Sequence, residues 1–208
     1  RLYNKSKYSQ TLFLLGSQYA VLKDTIIKKA NGLKKSRAES KKVRNILISF
    51  GGFDEFNFTL KVIEFLESLR RNFNVKIILG AGNSHKDEIE KFIKKPRFCD
   101  YHIYKNIPDL LKYYLWADFM ISSGGLTLFE SIALRVPAAS IAVYKHQIKR
   151  CLFFERKKVI KYLGFRQVDK QKLREGISKS DFKHYNKRLL ALNIPDIINF
   201  ILFFYVYI

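Results

Sequence analysis

One alternation governs what this chain can fold into: short apolar runs that end in glycine or a polar turn, each followed by a helical repeat. The first run is VRNILISF (43–50), stopped by Gly51-Gly52. Residues 57–71 then repeat apolar positions at helical spacing, at Leu60, Ile63, Phe65, Leu66 and Leu69. NVKIIL (74–79) is a second run, stopped by Gly80-Ala81-Gly82-Asn83. A charged helix over 85–95 and an edge-type strand over 99–104 follow. Asn106-Ile107-Pro108-Asp109 then opens a helix, since Pro and Asp both suit a first turn. DFMIS (118–122) is a fourth strand, and Ser123-Gly124-Gly125 leads into a helix over 126–134. Pro137 precedes a strand over 138–144, and helical spacing resumes at about 147–162. Runs buried on both faces and alternating with helices predict an α/β fold, a doubly wound parallel sheet of Rossmann-like topology. Such sheets bind ligands beyond the carboxyl ends of their strands. Those ends are Gly51-Gly52, Gly80–Gly82, Asn106-Ile107, Ser123–Gly125 and Tyr144–Gln147.

Charge asks for an anionic partner without naming it. The chain has 208 residues and a formal net charge of +21. That charge is unevenly placed: residues 1–45 carry net +10, residues 46–144 only +1, and residues 145–188 +11. The hundred residues holding most of the alternation are therefore nearly neutral. The basic blocks flank them without an aromatic-basic signature of a known nucleic-acid module, so nucleic acid is not the expected partner. Cys99 and Cys151 are too few for a disulfide framework or a thiolate zinc site, and no cofactor or metal set is visible. His85, His102 and His184 read as structural or exposed.

The ends point outward. The chain begins at Arg1, which suggests a piece of a longer protein. It ends in IINFILFFYVYI (197–208), 12 residues long, where a membrane helix needs roughly 20. A buried strand or helix is the first reading of that segment, a membrane segment the second.

The richest stretch is SSGGLTLFESIALRVPAA (122–139). Glycines let backbone approach a ligand, and the first amides of a helix point at an anion. Ser123 and Thr127 add hydroxyls that either bind or merely cap the helix. Glu130 is one turn further along, where a carboxylate would repel phosphate but could accept both hydroxyls of a ribose; the plainer alternative is a solvated helix face. The pattern is neither GxxxxGK[ST] nor GxGxxG, which disfavours a P-loop and a dinucleotide site.

These residues resemble a family. Ala117-Asp118 through Ser123-Gly124-Gly125-Leu126-Thr127, Glu130 and Pro137 is similar to the nucleotide-sugar site of two-domain (GT-B) enzymes, among them the family-28 glycosyltransferases. The closer resemblance is to the UDP-sugar hydrolases of pseudaminic acid synthesis, through LLGSQYAVL (14–22), ILISFGG (46–52) with Asp54, Ile78–Asn83, and a polar stretch ending at Gln147; it implies a UDP-sugar hydrolase first and a family-28-like glycosyltransferase as the alternative. Two departures stand out. Ser17 replaces a usual Pro, and His146 a usual Asn.

The resemblance implies roles. Residues 1–42 would be the end of an N-terminal domain plus a linker, 43–165 a nucleotide-sugar-binding domain, and 166–208 an unassigned segment. Ser123, Gly124, Gly125 and Thr127 would bind a diphosphate and Glu130 a ribose. Backbone near Asn106 and Ile107 would read a uracil edge. Gly51, Gly52, Gly82 and Asn83 would border the cleft, Gln147 would contact the sugar, and His146 is a further candidate. The implied partners are a UDP-sugar, the missing N-terminal domain and an anionic membrane surface, which implies a cytoplasmic protein peripheral to the inner membrane face. The catalytic base would come from the other domain, so this piece alone would not turn its ligand over.

Overall fold

The structure is a computed structural model and describes residues 22–33, 42–95 and 98–191. Most of LLGSQYAVL, including Ser17, and the apolar segment 197–208 lie outside the described residues. Six strands carry the fold: β1 (Asn45–Ser49), β2 (Asn74–Leu79), β3 (Asp100–Lys105), β4 (Phe119–Ser123), β5 (Ala138–Ala142) and β6 (Ile160–Phe165). All neighbouring pairs are parallel, in the order β3-β2-β1-β4-β5-β6. That order is the doubly wound one, and its connections reverse direction between β1 and β4.

Among the described residues eight helices accompany the strands: α1 (Asp24–Gly32), α2 (Phe58–Ser68), α3 (Lys86–Ile93), α4 (Leu111–Trp116), α5 (Leu126–Ala133), α6 (Lys145–Arg156), α7 (Lys170–Gly176) and α8 (Lys179–Ala191). Side chains alternate across each strand and feed two cores. Leu47, Ile78, Met120 and Ala138 face a core with Ile26 of α1, Tyr114 of α4, Phe129 of α5 and Phe154 of α6. Ile46, Ile48, Ile77 and Ile121 face a second core with Val62 of α2, Ile89 of α3 and Leu173 of α7. Ile46, Leu47 and Ile48 are fully buried, each contributing roughly 1.5–3 kcal/mol relative to exposure. This is the three-layer solution that near-continuous apolar strands demand.

The expected fold class holds. β3 lies at one edge of the sheet, as its mixed composition predicts, and β6 at the other. One expectation fails: the helical spacing over 147–162 does not continue as a helix. α6 stops at Arg156, Lys158 takes φ +59°, and Ile160–Phe165 becomes the sixth strand. The apolar residues Cys151, Phe154, Val159, Ile160, Tyr162 and Leu163 satisfy both periods. Periodicity alone cannot separate a short buried strand from a helix. α7 follows and packs on β6 and β5, with Leu173 and Ile177 buried.

Candidate functional site

Side chains start several helices at the carboxyl edge of the sheet. Asp54 Oδ1 and Oδ2 accept from the amides of Phe58 and Thr59 at 2.8 and 2.9 Å, and Asn57 Oδ1 accepts from Leu60 N at 3.3 Å. Asp169 Oδ1 accepts from Lys172 N at 2.9 Å, at the start of α7. At the approach to α4, Asp109 Oδ1 accepts from Leu111 N at 2.9 Å. α5 opens at Gly125 in extended conformation and, like α1, α3 and α4, has no side-chain cap at its N-cap residue. The capping alternative for Ser123 and Thr127 therefore does not hold. The opening amides of α5 are among those a helix cannot satisfy internally, and they carry its positive end. They lie beside the switch point, because β4 pairs with β1 there.

Three contacts build the turn that presents them. Gly124 N donates to Ile141 O at 3.0 Å, tying the turn to β5. Arg150 of α6 donates from Nη1 to Gly124 O at 2.8 Å. A Cβ on Gly124 would meet Cys151 Sγ at 2.6 Å and Gln147 Cβ at 3.0 Å, so α6 leaves room for glycine alone. At Gly125 the nearest atom to such a Cβ is Ser123 Oγ, at 3.5 Å. The second glycine is thus not demanded by packing. Arg150 is only 3% exposed and lies over the Phe129 ring, 4.8 Å from its centroid. A buried guanidinium under the turn polarises the Gly124–Gly125 peptide and adds fixed positive charge.

Glu130 is half-buried rather than a solvated face. Its Oε2 accepts from the Tyr114 hydroxyl at 2.6 Å. Burial holds its carboxyl above the usual range, while the Tyr114 hydrogen bond and the charge of Lys23 pull it down and Asp109 pushes it up. Lys23, just before α1, donates from Nζ to the Pro108 carbonyl. The segment ahead of the sheet therefore reaches the same corner as the loop after β3.

The other expected residues fall into three groups. Gly51, at φ +83°, and Gly52 form the loop after β1. Gly82 N donates to Gly52 O at 3.0 Å, and a Cβ on Gly80 would lie 2.4 Å from Gly52 Cα. These glycines let two loops touch backbone to backbone. Phe53, 70% exposed, covers Gly82. Asn83 Oδ1 accepts from His85 N at 2.9 Å, which shapes the approach to α3.

Asn106, at φ +51°, gives its amide to Leu79 O at 3.2 Å. That N–H is committed to the sheet, and the remaining backbone groups of the Asn106-Ile107 turn stand beside α4. Gln147 is buried, with Oε1 accepting from Val143 N at 2.8 Å and Tyr144 N at 3.4 Å. The side chain assigned to a sugar by resemblance thus spends its oxygen on the loop after β5. His146 is exposed and stacks on Tyr144, with ring centroids 5.9 Å apart and 6° between planes. Burial first, and Arg150 second, hold its pKa below the ordinary histidine value.

Sequence reasoning missed Arg150, Tyr114 and Lys23. Arg150 was hidden in the basic block over 145–188, although it follows Gln147 by about one helical turn. Tyr114 sits at an apolar helix position and reads as core. Nothing in the spacing marks Lys23. Among the described residues, no group of three His, Cys, Asp or Glu side chains could hold a metal ion. No described helix is long and apolar enough to cross a membrane.

Comparison with known proteins agrees with the fold. An uncharacterised protein of Methanocaldococcus jannaschii is 34% identical over 143 residues, covering 68% of this chain and 29% of that protein. The spore coat polysaccharide biosynthesis protein SpsG of Bacillus subtilis is 28% identical over 110 residues, covering 51% of this chain and 32% of that protein. Among solved structures, MurG of Acinetobacter baumannii superposes with a TM-score of 0.62 at 18% identity, over 77% of this chain and 49% of that one. WaaG, a glycosyltransferase involved in lipopolysaccharide biosynthesis, superposes with a TM-score of 0.56 at 17% identity, over 94% and 52%. The chain thus spans about a third of its curated relatives and about half of these structures. Residues 12–191 match the glycosyltransferase family 28 C-terminal domain, and the chain belongs to that family.

Proposed function

We propose that this chain is the donor-binding half of a two-domain enzyme that takes a UDP-sugar. The observation that carries the reading is the uncapped start of α5 at the switch point, with Glu130 one turn along. The diphosphate lies on the opening amides of α5, with the hydroxyls of Ser123 and Thr127 beside it. Glu130 accepts from the ribose, the Asn106-Ile107 turn borders the base, and Tyr144 and His146 flank the sugar. In the reaction an oxygen nucleophile attacks the anomeric carbon and the bond to the β-phosphate oxygen breaks. Negative charge grows on the departing UDP. Preorganised amides and the Arg150 charge behind them stabilise that charge more than the intact donor.

Family membership favours an acceptor hydroxyl as the nucleophile, hence glycosyl transfer. The stretch LLGSQYAVL and the Gly51–Asp54 opening favour a second reading, in which water attacks and the protein is a UDP-sugar hydrolase of the pseudaminic acid type. In both, the facing half of the protein supplies the base. An anionic membrane surface is a further proposed partner, resting on the basic blocks alone.

Calorimetry of the chain with UDP, ATP and a short DNA duplex tests the binding claim. UDP is expected to bind, ATP more weakly, and the duplex only at low salt. UDP binding unchanged by Thr127→Ala and Glu130→Ala would sink the assigned site. In the full-length protein, free UDP appearing from a UDP-sugar without acceptor selects the hydrolase, and strict acceptor dependence selects the transferase.

A further inference from the structure

The Tyr114–Glu130 contact is unusual for a core tyrosine. Tyr114 is fully buried on α4, with its ring in the core shared by α1, α5 and α6. Its hydroxyl lies 3.5 Å from the Thr127 carbonyl, at the outer limit for a hydrogen bond, but 2.6 Å from Glu130 Oε2. Short O–H···O⁻ contacts of this length are the strong, charge-assisted kind. The hydroxyl is therefore aimed at the carboxylate. An ionised carboxylate offers about four acceptor sites on two oxygens. Tyr114 takes one of them and leaves Oε1 for a ligand.

The surroundings of Glu130 act on its charge in both directions, with burial the largest influence and the net direction upward in pKa. From the segment before α1, Lys23 favours its ionised form; from the loop before α4, Asp109 opposes it. Burial opposes it most, and the Tyr114 hydrogen bond is the first influence acting against burial. A glutamate without that bond would regain rotamer freedom and hold its proton at higher pH.

We propose that Tyr114 is a positioning residue for ribose recognition: its hydroxyl orients the Glu130 carboxylate so that the remaining acceptor sites meet the paired hydroxyls of a ribonucleotide. This rests on the nucleotide-sugar reading above. It makes the choice of ribose over deoxyribose depend on a side chain that never touches the ligand.

The test compares UDP with 2′-deoxy-UDP, by calorimetry on the full chain, for the unaltered protein, Tyr114→Phe and Glu130→Gln. The unaltered chain is expected to prefer UDP by about 10-fold or more, the worth of a hydrogen bond to a charged group. Tyr114→Phe is expected to weaken UDP by roughly 5- to 20-fold and 2′-deoxy-UDP by less than about 3-fold, erasing most of the preference. In its UDP-binding profile the acid step that Glu130→Gln removes should move to higher pH, while the step from the ligand's own phosphate, at about pH 6, stays in all three proteins. A purely structural hydroxyl would weaken both ligands alike and leave the profile in place; that result overturns the proposal. Equal affinity of the unaltered chain for the two ligands overturns it without any variant, so a Tyr114→Phe protein that fails to fold does not shelter it. Absence of UDP binding by the unaltered chain overturns the nucleotide-sugar reading itself.

Discussion

Gly124 and Gly125 stand side by side in the sequence and are glycine for different reasons. Gly124 faces α6, and an added Cβ would press on Cys151 Sγ at 2.6 Å. Gly124→Ala should therefore cost about 1–3 kcal/mol of stability through overpacking, read from a urea melt. Gly125 has open space and a φ of −94° that alanine accepts. Gly125→Ala should keep stability within about 0.5 kcal/mol, since it touches no packed atom. Yet it should weaken UDP by roughly 10-fold or more by holding the diphosphate off the amides. If both variants melt early and neither shifts UDP affinity beyond its loss of folded protein, the turn is only a turn. The pairing was legible in the sequence as Ser-Gly-Gly, but the division of labour was not, because it depends on which residue faces α6. The same holds for Gln147. Its place in the polar stretch was legible, whereas its bonds to Val143 N and Tyr144 N needed the backbone to be in place.

Helix starts and strand approaches obey the same logic one level up. α2 begins where buried Asp54, itself at φ +46°, takes the amides of Phe58 and Thr59. Asp54→Ala leaves both donors unmet and should cost about 1–2 kcal/mol, measured by chemical denaturation. The approach to β3 is held by Glu67 of α2, whose Oε2 and Oε1 accept from Phe98 N and Cys99 N, each at 3.0 Å. Desolvation acts to raise the Glu67 pKa, but the hydrogen bonds from Phe98, Cys99 and Tyr101 together outweigh it and hold it below the ordinary 4.5. The sign follows: this group's contribution is complete above pH 4.5 and is lost as pH falls through its lowered folded value. Glu67→Gln should lower stability at pH 7, and the two melting curves should converge in acid. A gap that persists at low pH would assign the loss to packing instead. Strand and helix positions up to β5 were readable because most strands are bounded by a Gly or Pro signal: Gly51 after β1, Gly80 after β2, Pro108 after β3, Gly124 after β4 and Pro137 before β5. β6 was not, because no such signal separates it from α6. Only Lys158 in the left-handed region marks the break, and lysine is not a residue that announces a turn.

Across the whole molecule, the basic blocks that first suggested an anionic partner reach the candidate site through single residues, Lys23 and Arg150. Residues 46–144, which supply β1 to β5 and α5, carry net +1. Among the described residues, buried Arg150 is the cation that bonds the Ser-Gly-Gly turn from behind. Salt screens exposed charges within about 8–10 Å at physiological strength but reaches buried ones far less. UDP affinity should therefore change less than about 3-fold between 50 and 300 mM salt, whereas association with anionic vesicles or a duplex should fall by roughly 10-fold or more. A UDP isotherm as salt-sensitive as the vesicle one would mean that the flanking lysines hold the phosphate. The α/β class and the order of binding loops were legible in the chain. The sites at which α1, α4 and α6 lend single side chains were not, since Lys23, Tyr114 and Arg150 converge only once the sheet has closed.

One turn of α6 does two jobs. Gln147 holds the loop after β5 by the amides of Val143 and Tyr144, and Arg150 holds the loop after β4 by the carbonyl of Gly124. The two loops are thus yoked to one short rigid piece. A change on the buried side of that turn moves both at once; under the proposed function it cannot retune the sugar end without disturbing the phosphate end. The side chains of Tyr144 and His146 hang on the open side of the yoke, exposed and stacked on each other. Divergence in sugar preference among relatives of this chain would accordingly accumulate at those two positions, while 147 and 150 stay still.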